Sequence, residues 1–181
     1  MKKTITLVLA LYCCCTTMAQ SASIHSIAVN DIDGASINLS SYQGSKLLIC
    51  IAPNNIEDSN RIKEIGALLQ QYGSQIKLIG VMSLENGYID SNKAAIKAAY
   101  SSRGIDIKLT TGMNTKKSAG NNQSAIMQWL TTKTMNGRFN IDAKGIGQKF
   151  FIDKNGKLFE IVAPEAPYDS DIVKATINRK N

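Results

Sequence analysis

Apolar residues recur along the chain with two different spacings, and the change from one to the other predicts alternating strands and helices. The segment Lys46–Ala52, "KLLICIA", is almost continuously apolar, which is typical of a central strand covered on both faces. From Ser59 onwards the apolar residues follow helical spacing until Gly73, with Ile62, Ile65, Leu68, Leu69 and Tyr72 on one face. Gln75–Met82 returns to the buried-strand pattern. This order predicts a right-handed crossover between two parallel strands.

Two hairpins are predicted, one near each end of the chain. "DIDG" at 31–34 lies between alternating apolar and polar residues, and Asp-Gly in that setting indicates a tight turn. Gln148–Pro164 predicts a second hairpin that turns at Lys154-Asn155-Gly156. "DIDG" and "DKNG" both resemble the start of a calcium loop, but each lacks the other ligands and the closing glutamate. We therefore interpret both as turns and predict no metal site.

The remaining periodic segments predict one more strand and three more helices. A second helix starts from Ser91 or Asn92, either of which can cap it, and runs to Tyr100. A short strand at 105–110 and an irregular polar loop come next.

The last two helices complete the predicted architecture. Ser124–Lys133 predicts a helix with Trp129 in the core, and Asp169–Arg179 a closing helix that buries Ile172, Val173 and Ile177. The order hairpin, strand, helix, strand, helix, strand, helix, hairpin, helix predicts one α/β domain with a mixed sheet.

Residues 1–19, "MKKTITLVLALYCCCTTMA", have the pattern of a secretory signal peptide. Lys2 and Lys3 precede a short apolar stretch, and Thr17-Met18-Ala19 is a small-x-small cleavage site. The stretch is shorter than the ~20 residues that span a bilayer. Lipid attachment at Cys13 is the alternative, but Tyr12 stands where a small residue is required. We expect cleavage after Ala19, export to the periplasm or the medium, and a single mature domain at 20–181.

Cleavage would change both the thiol content and the charge. Cys50 would be the only cysteine left, which excludes an intramolecular disulfide and a two-cysteine redox cycle. The mature chain would carry 19 basic and 14 acidic residues, a net charge of +5. The sequence has neither a basic run nor the interleaved aromatic residues that are typical of nucleic-acid binding. After cleavage we expect no membrane span. We expect the positive charges to lie on a solvated surface, and an acidic partner is the alternative. The charges are scattered over Lys116, Lys117, Arg138, Lys144, Lys149, Lys154, Lys157, Arg179 and Lys180.

Both ends of the mature chain resemble glutathione peroxidases. "SIHSIAVNDIDGASINLSSYQGSKLLICIA" is similar to that family's opening, S-I-Y-D-F-x-V-x-D-x-D-G followed by L-x-x-Y-x-G-K-x-L-L-I-x-N-V-A-S-K-C-G. "GQKFFIDKNGKLFEIVAPEAPYD" is similar to W-N-F-x-K-F-L-V-D-x-x-G-x-V-x-x-R-Y-x-P-x-x-x-P, and "SAIMQWLTTK" to a family helix that ends in K-W-L. The resemblance implies a thioredoxin-like three-layer fold: a mixed central sheet, helices on both faces and an N-terminal β-hairpin.

The resemblance also implies four catalytic positions, and none of them carries the family's residue. Asn55 occupies the position of the cysteine or selenocysteine, and Glu85 lies near that of the glutamine. Gly145 and Ile146 stand where tryptophan and asparagine are expected. The chain therefore resembles a degenerate member that lacks the peroxidatic cysteine. Replacement of a tryptophan by Gly145 is expected to open that face.

The chemistry of these residues argues against a reactive thiol at the turn. Asn55 has no redox chemistry, and we interpret it as a turn or N-cap residue before the helix that begins near Ser59. Glu57 and Asp58 suit a helix start, but their negative charge would raise the pKa of a neighbouring thiol. Cys50 lies among aliphatic residues, where a thiol is expected to be buried and inert. His25, the only histidine, is predicted to lie on the surface of the N-terminal strand.

Three functions remain open from the sequence. The first is an exported glutathione-peroxidase-like pseudoenzyme that binds a small molecule, peptide or envelope protein around Asn55, Glu85, Gly145 and Ile146. The second is a thiol-dependent peroxidase or oxidoreductase that uses Cys50 and an outside thiol. The third is a structural or envelope-interaction protein. No cofactor is predicted, and the sequence leaves the oligomeric state open.

Overall fold

The computed structural model describes residues 23–55 and 59–180. The predicted signal peptide, Glu57 and Asp58 therefore lie outside the described residues. The strands are β1 (Val29–Asn30), β2 (Ser36–Ile37), β3 (Lys46–Ile51), β4 (Ile76–Ser83), β5 (Lys108–Met113), β6 (Lys149–Ile152) and β7 (Leu158–Val162). The helices are α1 (Ser59–Tyr72), α2 (Lys93–Ser101), α3 (Ala125–Thr131), α4 (Lys133–Asn136) and α5 (Asp171–Asn178).

The predicted order of elements is confirmed, and the main sheet is mixed. Its strand order is β5-β4-β3-β6-β7. β3 pairs in parallel with β4, which pairs in parallel with β5, whereas β3–β6 and β6–β7 are antiparallel. β1 and β2 form the predicted N-terminal hairpin. The parallel strands place the segments that follow β3 and β4 at one end of the sheet, and the candidate site lies there.

Two hydrophobic cores lie on opposite faces of the sheet, which explains why β3 is apolar throughout. Leu48, Cys50 and Ala52 belong to the core beneath α1, α2 and α5. The alternate residues of β3 pack with α3 and the N-terminal hairpin. Each aliphatic side chain buried in this way stabilises the fold by about 1.5–3 kcal/mol. Helices therefore cover both faces, as predicted.

The two Asp-led turns are held by the aspartate side chains. Asp31 Oδ1 accepts hydrogen bonds from the backbone N–H groups of Asp33 and Ala35. Asp153 Oδ1 accepts in the same way from Asn155 and Lys157. Within the described part of the chain, no group of acidic, histidine or cysteine side chains has the arrangement of a metal site.

The structure corrects three details of the helix and strand predictions. Ile172 is 53% exposed, because the buried stripe of α5 is Val173, Thr176 and Ile177, at positions i, i+3 and i+4. β5 starts at Lys108, later than the predicted 105. Asn92 precedes α2, but its side chain makes no capping hydrogen bond.

Two single-residue predictions were also wrong. His25 is half-buried in a 3₁₀ turn at 24–26, where its Nδ1 lies 2.9 Å from the carbonyl oxygen of Leu39. Its ring packs against the turn at Gly156, where an added Cβ would lie 2.7 Å from Nε2. Lys149 is fully buried instead of belonging to the solvated surface, since it faces the core beneath α1.

Among the helices that the structure describes, none is both long enough and apolar enough to cross a membrane.

Candidate functional site

The turn after β3 is fixed by contacts from two neighbouring segments. The Tyr100 hydroxyl of α2 donates a hydrogen bond of 3.0 Å to the carbonyl oxygen of Pro53. The buried Asn54 side chain donates to the carbonyl oxygens of Ser83 (3.4 Å) and Asn86 (3.2 Å). These bonds tie the turn to the end of β4. Asn55, which the sequence resemblance aligns with a thiol, is exposed at the bend.

The Glu85 carboxylate binds the loop that follows β5. Its carboxylate accepts hydrogen bonds from the backbone N–H groups of Thr115 (2.9 Å) and Lys116 (3.0 Å). Burial opposes its ionisation, but the hydrogen bonds from Thr115 and Lys116 outweigh that effect and lower the pKa of Glu85 to about 2. The carboxylate is therefore an acceptor that anchors the loop after β5.

Asn86, the residue after Glu85, lies beside Gly145. Glu85 was predicted from the sequence as a site residue, and Asn86 was not. A Cβ added to Gly145 would lie 3.3 Å from Asn86 Nδ2, so the side on which Gly145 could carry a side chain is covered by this carboxamide. Gly145 itself is buried and has a φ of +128°, a conformation that residues with a side chain rarely adopt. Asn86 Oδ1 is buried and has no hydrogen-bond partner among the described residues. A buried acceptor without a partner costs free energy that a donor reaching it would relieve.

Arg61 in the first turn of α1 holds the loop before β6. Its guanidinium donates to the carbonyl oxygens of Ile146 (2.8 Å) and Pro164 (3.3 Å). Gly147, with a φ of +93°, lets the guanidinium approach, since an added Cβ would overlap it. The contact places Ile146, half-buried, at the edge of the site.

Cys50 lies within the core beneath α1 and has no exposed surface. Desolvation raises the pKa of its thiol to about 11, although Tyr168 and Lys149 act in the opposite direction. The Tyr168 hydroxyl is buried close to Cys50 and forms no hydrogen bond of ordinary geometry with the residues that the structure describes. Burial also lowers the pKa of Lys149 to about 8. Lys149 Nζ donates to the carbonyl oxygens of Gly147 and Ala166 and lies 4.2 Å from the centre of the Tyr168 ring.

The arrangement of the turn, the sheet and the two cores resembles several solved structures. The crystal structure of Trgpx in apo form is 16% identical, with a TM-score of 0.66 over 88% of this chain and 98% of that one. T. cruzi GPX1 is 19% identical, with a TM-score of 0.63 over 86% and 95% of the two chains. A thioredoxin-family thiol:disulfide interchange protein from Chlorobium tepidum TLS is 17% identical, with a TM-score of 0.55 over 88% and 98%.

The chain has a thioredoxin-like fold. Its structural neighbours include glutathione-peroxidase-like and thioredoxin-family proteins. Because the sequence identities are low, the similarity shows the fold alone. No protein-family model and no curated protein matches the sequence.

Of the predicted site residues, the structure places Gly145 against Asn86, a residue that was not predicted, and leaves Cys50 in the core. Asn54, Asn86 and Gly145 cluster at the end of β4, and we call them, with the exposed Asn55, the carboxamide face. Glu85 is engaged with Thr115, and Cys50 lies in the core. Two asparagines one residue from predicted positions, Asn54 and Asn86, carry the contacts, and only the tertiary structure distinguishes them from their neighbours.

Proposed function

We propose that this protein is a glutathione-peroxidase-like domain that no longer reduces peroxides and binds a ligand at the carboxamide face. The observation that carries the proposal is the position of its thiol. The turn after β3 carries the exposed Asn55, whereas Cys50 is fully buried in the sheet five residues earlier.

Peroxide reduction requires a thiolate that can reach the O–O bond and form a sulfenic acid, which a second thiol then reduces. With a pKa of about 11, only about one Cys50 thiol in 10⁴ is ionised at pH 7. Lys149 beside it does lower the pKa of Cys50, but burial raises that pKa by more, and the value of about 11 already includes both effects. Both access and ionisation therefore oppose catalysis.

The alternative is a thiol-dependent peroxidase that uses Cys50, and peroxide consumption distinguishes the two. The exported product of the full-length gene is compared with Cys50→Ser and Cys50→Ala, with dithiothreitol, glutathione or thioredoxin as the outside thiol. We expect the same background rate from all three proteins. Turnover by the wild type that both substitutions abolish would establish the alternative.

The carboxamide face contains an acceptor without a partner among the described residues, close in sequence to exposed apolar side chains. Asn86 Oδ1 is an acceptor without a partner among the described residues. Leu84 and Ile89, two residues before and three after Asn86, are 45% and 54% exposed. This combination suits a peptide or small molecule that presents an N–H donor next to an apolar group. The binding proposal rests on these contacts and on the loss of the thiol from the turn.

Binding is tested by NMR titration of ¹⁵N-labelled protein with N-acetylated dipeptide amides that carry an apolar side chain. We expect shifts that cluster at Asn54, Asn55, Asn86 and Gly145. Asn86→Ala is expected to remove them, whereas Asn140→Ala, an exposed control, should leave them unchanged. Scattered shifts, or equal effects of the two substitutions, would favour a structural or envelope-interaction role instead.

We also propose that the chain is exported after cleavage at Ala19, without a lipid anchor. The charge and apolar pattern of 1–19 support this proposal. Cell fractionation with intact-mass measurement should find a product that begins at Gln20 in the periplasm or medium. A product with a lipid on Cys13, or an uncleaved cytoplasmic chain, would contradict it.

A further inference from the structure

Two adjoining depressions lie at the end of the sheet opposite the carboxamide face. The larger has a volume of about 880 Å³ and lies between α1, the start of β4 and the segment 103–108. The smaller, about 520 Å³, lies between the start of β3, the start of β4 and the end of α5. Ile76 and Lys77 line both depressions. We call the two depressions together the basic groove.

The basic groove is lined mainly by cations. Lys63, Lys77, Arg103 and Lys108 line the larger part, where Asp106 is the one acidic residue of the lining. The smaller part adds Lys46, Lys154, Arg179 and Lys180 and no acidic residue. Such a concentration of one charge in a concave surface attracts anionic partners and accelerates their association.

Few of these charges are neutralised within the protein. Arg179 pairs with Glu160 at 3.1 Å, and Lys46 Nζ donates to the carbonyl oxygens of Ile177 and Arg179. The other lysines of the groove, Lys63, Lys77, Lys108, Lys154 and Lys180, have no ion pair among the described residues. Their charges are therefore available to an external group.

Apolar side chains lie among the cations in the larger part of the groove. Leu69 and Ile107 line it and are only partly buried. Ile105 packs closely against Gly66 of α1, where an added Cβ would lie 3.1 Å from it. A purely anionic polymer would leave this apolar surface unmatched, whereas a peptide with acidic and apolar side chains would cover both kinds of surface.

We propose that the basic groove binds an extended acidic segment of a partner protein in which apolar residues alternate with Asp or Glu. Its concave shape does not match a flat membrane surface. Tyr42 is the one aromatic residue of the described lining, so the groove lacks the stacking platforms of single-stranded nucleic acid sites. This site is independent of the carboxamide face and of the proposed loss of catalysis.

The proposal is tested by fluorescence anisotropy with the exported protein and a fluorescein-labelled peptide of Glu-Asp-Leu repeats. The control peptide has Gln-Asn-Leu repeats. Lys77→Glu/Lys108→Glu changes the groove, and Lys133→Glu/Lys157→Glu makes the same change in charge at exposed positions outside it. Circular dichroism confirms that both variants fold.

We expect the acidic peptide to bind the wild type and the control variant equally and to bind the groove variant at least about tenfold more weakly. Binding should weaken with salt, as expected for exposed charges. The control peptide should not bind. Equal weakening in both variants, tighter binding of heparin or of phosphatidylglycerol vesicles than of the peptide, or no peptide binding at low salt would each overturn the proposal.

Discussion

Cys50 and Lys149 are register partners across the antiparallel β3–β6 pair, and neither side chain has any exposed surface. A protonated lysine beside a thiol normally lowers the thiol pKa. Here burial is the larger effect on both groups, because it raises the pKa of Cys50 to about 11 and lowers that of Lys149 to about 8. The pair therefore favours the neutral thiol, and Lys149 serves mainly to bind the carbonyl oxygens of Gly147 and Ala166.

The buried Lys149 is expected to make the free energy of unfolding rise with pH above pH 8. Its pKa is about 8 in the folded protein and 10.5 ordinarily, so the unfolded chain binds more protons above pH 8 and the free energy of unfolding rises with pH. Cys50 has the opposite effect from its ordinary value of 9.0 upwards. We expect a rise of up to about 1 kcal/mol between pH 8 and 9 in urea denaturation.

The matched substitutions isolate this effect. Lys149→Met should abolish the rise, and Lys157→Met, at an exposed position, should retain it. A rise that survives in Lys149→Met would assign the titration to another group.

Glu85 is expected to stabilise the protein at neutral pH and to lose that effect in acid. Its folded pKa of about 2 lies below the ordinary value of 4.5, so the stabilisation is complete above pH 4.5 and disappears as the pH falls towards 2. Glu85→Gln should cost about 1–2 kcal/mol at pH 7, because it weakens charge-assisted hydrogen bonds at a partly solvated site. Glu165→Gln is the exposed control. Stability curves of wild type and Glu85→Gln that stay parallel down to pH 2 would show that the charge does not matter.

Gly147 is expected to be required for the contact between Arg61 and Ile146. Gly147 and Gly87 have nearly the same φ, +93° and +88°, but an added Cβ overlaps the Arg61 guanidinium at Gly147 and meets nothing within 4 Å at Gly87. The two alanine variants therefore place a Cβ at nearly the same positive φ and differ in what that Cβ meets. Gly147→Ala should be less stable than Gly87→Ala by about 1–3 kcal/mol in thermal or urea unfolding. Equal losses would mean that Arg61 moves aside without cost.

A thiol placed at the turn should be accessible but not activated. In the Cys50→Ser background, Asn55→Cys puts a thiol at an exposed position. Glu57 and Asp58 follow closely in sequence, and their charges disfavour a thiolate. We expect alkylation of the folded protein, with a pH midpoint at or above ~8.5, the ordinary thiol value. A midpoint well below neutrality would show that the turn still activates a thiol.

Local pattern was enough to predict most of the fold. The continuous apolar run of β3 and the helical stripe of α1 reflect burial of the whole strand and of one helix face, so both patterns are visible in sequence. The stripe of α5 was partly wrong, because Ile172 is as apolar as Val173 and only the packing of the helix shows which one is buried.

The site was less predictable, since its contacts join distant segments. Alignment by motif led to Glu85, but the structure places the neighbouring Asn86 against Gly145. Nothing in "GQKFF" distinguishes a buried lysine from an exposed one. The burial of Lys149 follows from its pairing with β3 and its contact with Tyr168, which depend on the tertiary structure.

The central claim is that the folded domain has no reactive thiol, and the alkylation rate of Cys50 tests it most directly. Iodoacetamide labelling of the exported full-length gene product is followed by peptide mass spectrometry, with and without urea. We predict negligible labelling of Cys50 in the folded protein and rapid labelling only as urea unfolds it, because the thiol is buried and has a pKa of about 11. Rapid labelling in native buffer, with a midpoint below pH 7, would contradict the account.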